Sequence, residues 1–484
     1  MPELLREGKL SKSINIIICV LLLIATCFSC QNIRIGEFVA FIEAGIVIVL
    51  AISRRLDSAV IVHNLFLACS IEVSAYVYSD YTMMYSYAYL PYIHRYGPLA
   101  IEIGLLLMLI ISQKGKIRIT NIVESKGWMN LFVRNITLII IIGCFVSAIM
   151  VLFNDNGVNS LVWYSDAYLR EITYWLILVI DVWLVYNRFT NSQDFPALLR
   201  RSLVNLFIAV PFASILSIAL GFHGTYSYHI SVLLMPLVSF YAIGIAVFPS
   251  YKEYRSVFFY ICAGVMLIAQ IIMTTPLLGK WVLFVIAIVL VILWNNLTRR
   301  KFLRVIGITI ILAIAFAYFG NMILESNEIL KYKFEQVMGT LSLGGSWLNN
   351  MSASPSIRIE EFLNAAVEYW HKPWLFFFGK GIGGTTLHWL NWNNWNAVSA
   401  FTAEEFTSGI FIGMHESGNI LFLKFGLVGV LFFIWMIIKS MKNISKSPWV
   451  FLGLFWFVFF VNAYISLYVM VPALMLGMYE SEKV

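Results

Sequence analysis

Charge is scarce in this chain. Only 12% of its 484 residues are Asp, Glu, Lys or Arg, about half the share of a soluble domain. The balance is apolar, with 60% hydrophobic residues and a mean hydropathy of +0.83. Such a composition excludes a soluble enzyme and implies an integral membrane protein. Cysteine offers no framework either. All six cysteines (Cys19, Cys27, Cys30, Cys69, Cys144, Cys262) fall inside apolar runs, so no disulfide scaffold and no Cys/His zinc spacing is present. Internal repeats, low-complexity tracts and a separate soluble domain are also missing. The N-terminus has the basic start and apolar run of a signal peptide. No small-residue cleavage site follows Cys30, and Ile24-Ala-Thr-Cys27 is a poor lipoprotein signal, so the run reads as a retained first helix.

What the chain has in abundance is membrane-length apolar sequence. Such runs occupy 14–30, 36–52, 58–77, 97–112, 135–153, 171–187, 203–220, 229–248, 256–273, 281–295, 303–324, 418–438 and 449–468. The apolar tail 469–479 reads as a re-entrant segment, a short final span or a continuation of the helix before it. The expected fold is an all-α polytopic membrane protein with about 12 to 14 transmembrane helices. With the N-terminus inside, the inner loops hold most of the 33 Lys and Arg residues, among them Arg54, Arg55, Arg188, Arg200, Arg299, Arg300 and Lys439. These anchors account for the net charge of +7 without nucleic acid. The same orientation puts 325–414 outside as one large extracytoplasmic loop carrying short helices. The whole of 1–484 then forms a single membrane domain, and a reaction in that loop proceeds without cytoplasmic ATP.

Connections between spans are usually short, so a loop of about 90 residues is more often functional than a linker. Ser354-Pro355 predicts a helix start and Pro373 its end, with Arg358 in the first turn and an apolar face of Ile359, Phe362, Leu363, Ala366 and Trp370. The Arg358 guanidinium suits a pyrophosphate, or equally an ion pair with Glu360 or Glu361. Gly379-Lys-Gly-Ile-Gly-Gly384 reads as backbone N–H groups approaching an anion through Gly381 and Gly383, or as a turn that needs positive φ. It is no Walker A loop, since no Gly-Lys-Ser/Thr closes it. Trp389, Trp392 and Trp395 recur every three residues, which predicts one side of a helical stretch that stacks on sugar rings or anchors in the membrane interface. His415 stands just before the next span, and its imidazole suits a general base near neutral pH. Glu416 beside it, and Glu404-Glu405 upstream, could tune or replace it. Within the spans Glu43, Glu72, Glu102, Asp181 and Lys424 read as structural pairs or as a pathway.

The order Arg358, Pro373, Gly379-x-Gly-x-Gly, then His415 with Gly426 and Gly429 following, resembles the pattern of bacterial O-antigen polymerases and O-antigen ligases. Upstream, Thr274-Thr-Pro-Leu-Leu-Gly-Lys280 is similar to the family's basic element at the outer end of a span. The chain departs from the family at Glu416, where the family has Asn, at Asn419, where it has Leu, and upstream, where Lys280 replaces Arg and the usual Ser beside it is missing. The resemblance implies a multi-pass protein of the bacterial inner membrane with a cytoplasmic N-terminus. It also implies a glycosyltransferase that joins polyprenyl-pyrophosphate-linked saccharide repeat units. Arg358 and Lys280 would hold the leaving pyrophosphate, with Arg170 and Arg95 as further contacts, and His415 or Glu416 would take the acceptor proton. The implied partners are lipid-linked saccharides, membrane lipid and a chain-length regulator protein, with no cofactor and no metal. A ligase that moves a finished chain to lipid A core shares every one of these motifs. A transporter of lipid-linked saccharide is the alternative from another class, and matched halves would mark it.

Overall fold

The computed structural model describes residues 33–69, 96–112, 127–152, 165–219, 235–273, 353–392, 416–444, 448–459 and 463–483, with scattered positions between them. Their helices are α1 (Ile33–Ile52), α2 (Leu56–Cys69), α3 (Tyr96–Ser112), α4 (Trp128–Leu152), α5 (Ser165–Asn191), α6 (Phe195–Ala219), α7 (Met235–Val247) and α8 (Val257–Met273). After these come α9 (Ala353–His371), α10 (Pro373–Phe378), α11 (Ser417–Lys442), α12 (Pro448–Phe459) and α13 (Ala463–Lys483). A two-residue antiparallel ladder pairs β1 (Thr386–Leu387) with β2 (Ile410–Phe411). The chain is a multi-pass, all-α membrane protein. Five helices among the described residues are long and apolar enough to cross a bilayer, within α1, α4, α5, α6 and α11, and shorter apolar helices accompany them.

Helix α5 lies inside the bundle. It packs on α2, α3, α4, α6 and α13, and 67% of its membrane window is buried against 33% for α1. Directional bonds fix its rotation: Trp183 Nε1 donates to Thr137 Oγ1 of α4 at 3.1 Å, and Asn64 Nδ2 of α2 donates to Asp181 Oδ1 at 2.9 Å. At the C-terminal end of α5, Arg188 meets Asp57 at 2.5 Å. Arg200 pairs with Glu480 at 2.6 Å near Tyr251, and Lys439 lies 5.3 Å from the Trp128 ring centroid. These groups share one end of the bundle. Helices α9 and α10 sit against the N-terminal part of α11, at Asn419 to Gly426, about 20–30 Å along that helix from Lys439.

Two expectations change. The run 449–468 is not one span: its first part lies in α12 and its last residues open α13. Gly477 near the end of α13 faces Trp449 near the start of α12, so the two helices run antiparallel. The tail 469–479 is therefore the body of a final helix of 21 residues. Uniform hydropathy hid the division, because no charge, glycine or proline punctuates it. The expected spans at 281–295 and 303–324, most of 14–30, and residues 325–352 lie outside the described residues, as do Glu72, Glu404 and Trp395.

Candidate functional site

The polar segment between α8 and α11 is docked by backbone contacts. Helix α11 breaks at Gly426, whose φ of 59° and ψ of −154° are not helical, a conformation that belongs almost entirely to glycine. The break leaves carbonyls one turn upstream without their usual helical donors. Other donors fill the places. The Tyr369 hydroxyl of α9 donates to Leu423 O at 2.7 Å and lies 3.2 Å from Phe422 O. Lys380 N donates to Leu423 O and Gly381 N to Lys424 O, both at 2.9 Å. Burial, reinforced by the Glu368 charge, pushes the Tyr369 hydroxyl well above its usual range, so it remains a donor.

The glycine turn is shaped for this docking. A Cβ on Gly379 would stand 2.5 Å from Phe425 N, and one on Gly426 would stand 2.5 Å from Gly379 N. Gly379, Gly381 and Gly383 all have positive φ, as the turn reading requires. Beyond the Gly381 bond, Gly383 N donates to Glu171 Oε2 at 2.9 Å. Both N–H groups are therefore engaged within the protein. Ile382 is held between Gly143 O and Ser147 Oγ of α4.

Lys424 is the buried staple of the arrangement. Its Nζ bonds Glu171 Oε2 at 3.0 Å, Gly384 O at 2.5 Å and Ile412 O at 3.3 Å. Its partner is thus none of the intramembrane acids singled out by sequence. Glu171 sits at the head of α5 and ties together a helix, a turn and the kinked α11. Lys380 is buried as well, paired with Glu368 and donating to Thr385 O at 2.6 Å.

Helix α9 starts and stops where Ser354-Pro355 and Pro373 predict, one residue earlier at its head, so Arg358 lies in the second turn. The apolar face read from the sequence is only partly covered. Trp370 is 85% exposed and Phe362 41%, whereas Glu360, Glu361 and Asn364 are fully buried. The polar face is a rack for the segment after the glycine turn. Glu360 Oε1 receives His388 Nε2 at 2.8 Å and Trp392 N at 2.6 Å. Asn364 Oδ1 receives Leu390 N at 3.0 Å, and Glu368 Oε1 receives Leu387 N and Trp389 Nε1 at 2.8 Å each. The chain through Trp389 and Trp392 is consequently a short strand and irregular backbone rather than a helix. Both indoles are left about half exposed.

The groups with open chemistry meet where α9 crosses the head of α11. Arg358 Nε pairs with Glu416 Oε1, and the two side chains are 24% and 16% exposed. Asn419 Nδ2 donates to Arg358 O at 2.8 Å and lies 3.1 Å from Glu361 Oε2. Two departures from the family pattern, Glu416 and Asn419, therefore clamp Arg358. Sequence alone does not name Glu416 as a partner of Arg358. Comparison with known protein families, curated proteins and solved structures gives no match. The reading of the site rests on its own residues.

His415, Lys280 and Arg95 lie outside the described residues, as does the side chain of Arg170. His415 is next to Glu416 in the chain, which ties it to the Arg358 end of α11. Sequence reasoning passed over Glu171, Asn364 and Glu368, and it missed that Asn419 holds Arg358 and that Glu360 begins a polar row with Asn364 and Glu368. That row had a signal: spacing of i, i+4 and i+8 puts three polar groups on one helical face.

Proposed function

We propose that this chain is a membrane glycosyltransferase that polymerises polyprenyl-pyrophosphate-linked repeat units of a surface polysaccharide, working at the outer face of the bacterial inner membrane. The observation that carries the reading is the partly exposed Arg358–Glu416 pair at the mouth of α11, one residue from His415. A pyrophosphate offers the guanidinium two oxygens in the fork geometry that a carboxylate now fills. Donor binding would exchange Glu416 for phosphate at Arg358 and release the carboxylate beside His415.

The reaction then needs little else. An acceptor hydroxyl oxygen bonds to the anomeric carbon, the bond from that carbon to the pyrophosphate oxygen breaks, and the electron pair leaves with the polyprenyl pyrophosphate. The hydroxyl proton passes to His415 or to the released Glu416. Arg358, with Lys280, stabilises the charge that develops on the leaving group. The exposed indoles of Trp389 and Trp392 offer faces for sugar rings.

The test is transfer by purified protein in liposomes from lipid-linked repeat units, read as a ladder of polymer lengths. Arg358→Ala should lower the rate by about 100-fold or more while the protein melts as the parent does. A normal ladder from that variant would overturn the reading. Transfer only to lipid A core acceptor would move the assignment to ligase.

A further inference from the structure

A second constellation of polar groups lies within the helices, away from the loop. His63 and Asn64 come from α2, Glu102 from α3 and Asp181 from α5, and Tyr87 from the connection between α2 and α3. His63, Tyr87, Glu102 and Asp181 have no exposure at all, and Asn64 only 5%. One ring nitrogen of His63 and one oxygen from each of Glu102 and Asp181 all lie within 4.8 Å of one another. From these positions we propose a binding site for one divalent transition-metal ion, held by His63, Glu102 and Asp181.

The hydrogen-bond inventory leaves the right atoms over. Glu102 Oε1 takes His63 Nε2 at 2.9 Å, and Asp181 Oδ1 takes Asn64 Nδ2 at 2.9 Å. The second oxygens, Glu102 Oε2 and Asp181 Oδ2, are buried and have no hydrogen-bond partner among the described residues. A buried acceptor without a donor is costly, and a bound ion removes the cost. Nor does any Lys or Arg among the described residues form a salt bridge with either carboxylate. Glu43 of α1 is a further buried acid. Two carboxylates in a low-dielectric interior call for two positive charges at one point.

The donor set narrows the ion. One imidazole with two carboxylates favours Zn²⁺, Mn²⁺ or Fe²⁺ over soft Cu⁺, which seeks sulfur. Donors on one such ion, with bonds of about 2.0–2.2 Å, stand roughly 3–4 Å apart, so small side-chain adjustments close the present spacing. The ion would stand in place of the proton between His63 Nε2 and Glu102 Oε1. The other ring nitrogen is already bonded to the Tyr87 hydroxyl at 2.5 Å, the kind of outer partner that fixes a ligating histidine. Asp181 lies ten residues along α5 from Glu171, about 15 Å. A metal there would fasten α2 and α3 to the helix whose other end holds the glycine turn. This inference does not depend on the glycosyltransferase reading.

The experiment uses the full chain, purified in detergent without chelator. Elemental analysis should find about one equivalent of Zn, Mn or Fe per chain, lost in Glu102→Gln and in Asp181→Asn. After treatment with a chelator the parent should melt at lower temperature and regain stability on addition of Zn²⁺ or Mn²⁺, while the two variants should respond to neither ion. Metal retained by both variants would overturn the site. So would a parent that carries no metal and whose melting responds to neither chelator nor added ion, because protons alone would then neutralise the acids. If the variants do not fold, those two readings on the parent decide the matter.

Discussion

Arg358 shows how much a single partner changes the meaning of a charged residue. Its guanidinium is shared with Glu416 across two helices and is held from behind by Asn419 on its own carbonyl. The sequence suggested Glu360 or Glu361, neighbours along the same helix. Both are buried and take tertiary donors, Glu360 from His388 and Glu361 from Asn419, and docking of α11 brings Glu416 to Arg358. A clamp of this kind presents the fork in one orientation, and Arg358→Lys should therefore recover less transfer than its charge would suggest. Rates for the lysine variant equal to the parent would reduce Arg358 to a point charge. His415 and Glu416 can be separated by pH. If His415 is the base, His415→Ala should cost roughly 100- to 10,000-fold, and the parent's activity should fall below about pH 6.5, where an ordinary imidazole becomes protonated and can no longer accept. If Glu416 is the base, Glu416→Gln is the dead variant and His415→Ala keeps its activity. Polymerisation by both variants across pH distinguishes these outcomes, and a fully active His415→Ala would remove the histidine from the chemistry.

Helix α11 is broken at Gly426 so that its freed carbonyls can receive Tyr369, Lys380 and Gly381, and the glycine turn is bent so that Gly379 can reach it. Side chains at either crossing would collide with backbone, which cannot rotate away. Gly426→Ala combines a strained backbone with that collision and should cost about 3 kcal/mol or more, seen as a clear drop in melting temperature in detergent. Gly45→Ala in α1 is the contrast. Nothing lies within 4 Å of the added methyl, so it should be neutral or stabilising by about 0.5–1 kcal/mol. Equal melting of the two variants would mean that the turn does not dock on the kink. Much at this scale was legible. Pro355 and Pro373 bound α9 because a proline fits a first helical turn and stops a helix that precedes it. Positive φ in the Gly379 turn follows from glycine spacing alone. The partly exposed apolar face of α9 and the non-helical Trp389 and Trp392 were not legible. There the hydrogen bonds to Glu360, Asn364 and Glu368 dictate the path, and these are tertiary.

At the scale of the whole molecule, apolar run length identified the membrane helices well, since it measures the thickness each must cross. It failed at the junction of α12 and α13, where Asn462 is the one polar residue between two apolar helices and no charge, glycine or proline separates them. The pairing of Lys424 with Glu171 was also out of reach, because it joins residues far apart in sequence through a kink no pattern announces. Orientation remains the largest consequence of the sequence reading. Arg188, Arg200 and Lys439 gather at one end of the bundle, while Arg358 and Glu416 lie at the other. Basic residues near span ends favour the cytoplasmic side, so the Arg358 end should face outward, where lipid-linked donors would be used. Fusions in intact cells test this directly. Alkaline phosphatase joined after Asn350 should be active and a cytoplasmic reporter there silent, and the same pair joined after Asn191, at the Arg188 end, should give the reverse. Strong cytoplasmic-reporter activity after Asn350 would turn the molecule over, set Arg358 and Glu416 facing the cytoplasm, and leave the proposed transfer without access to its substrate.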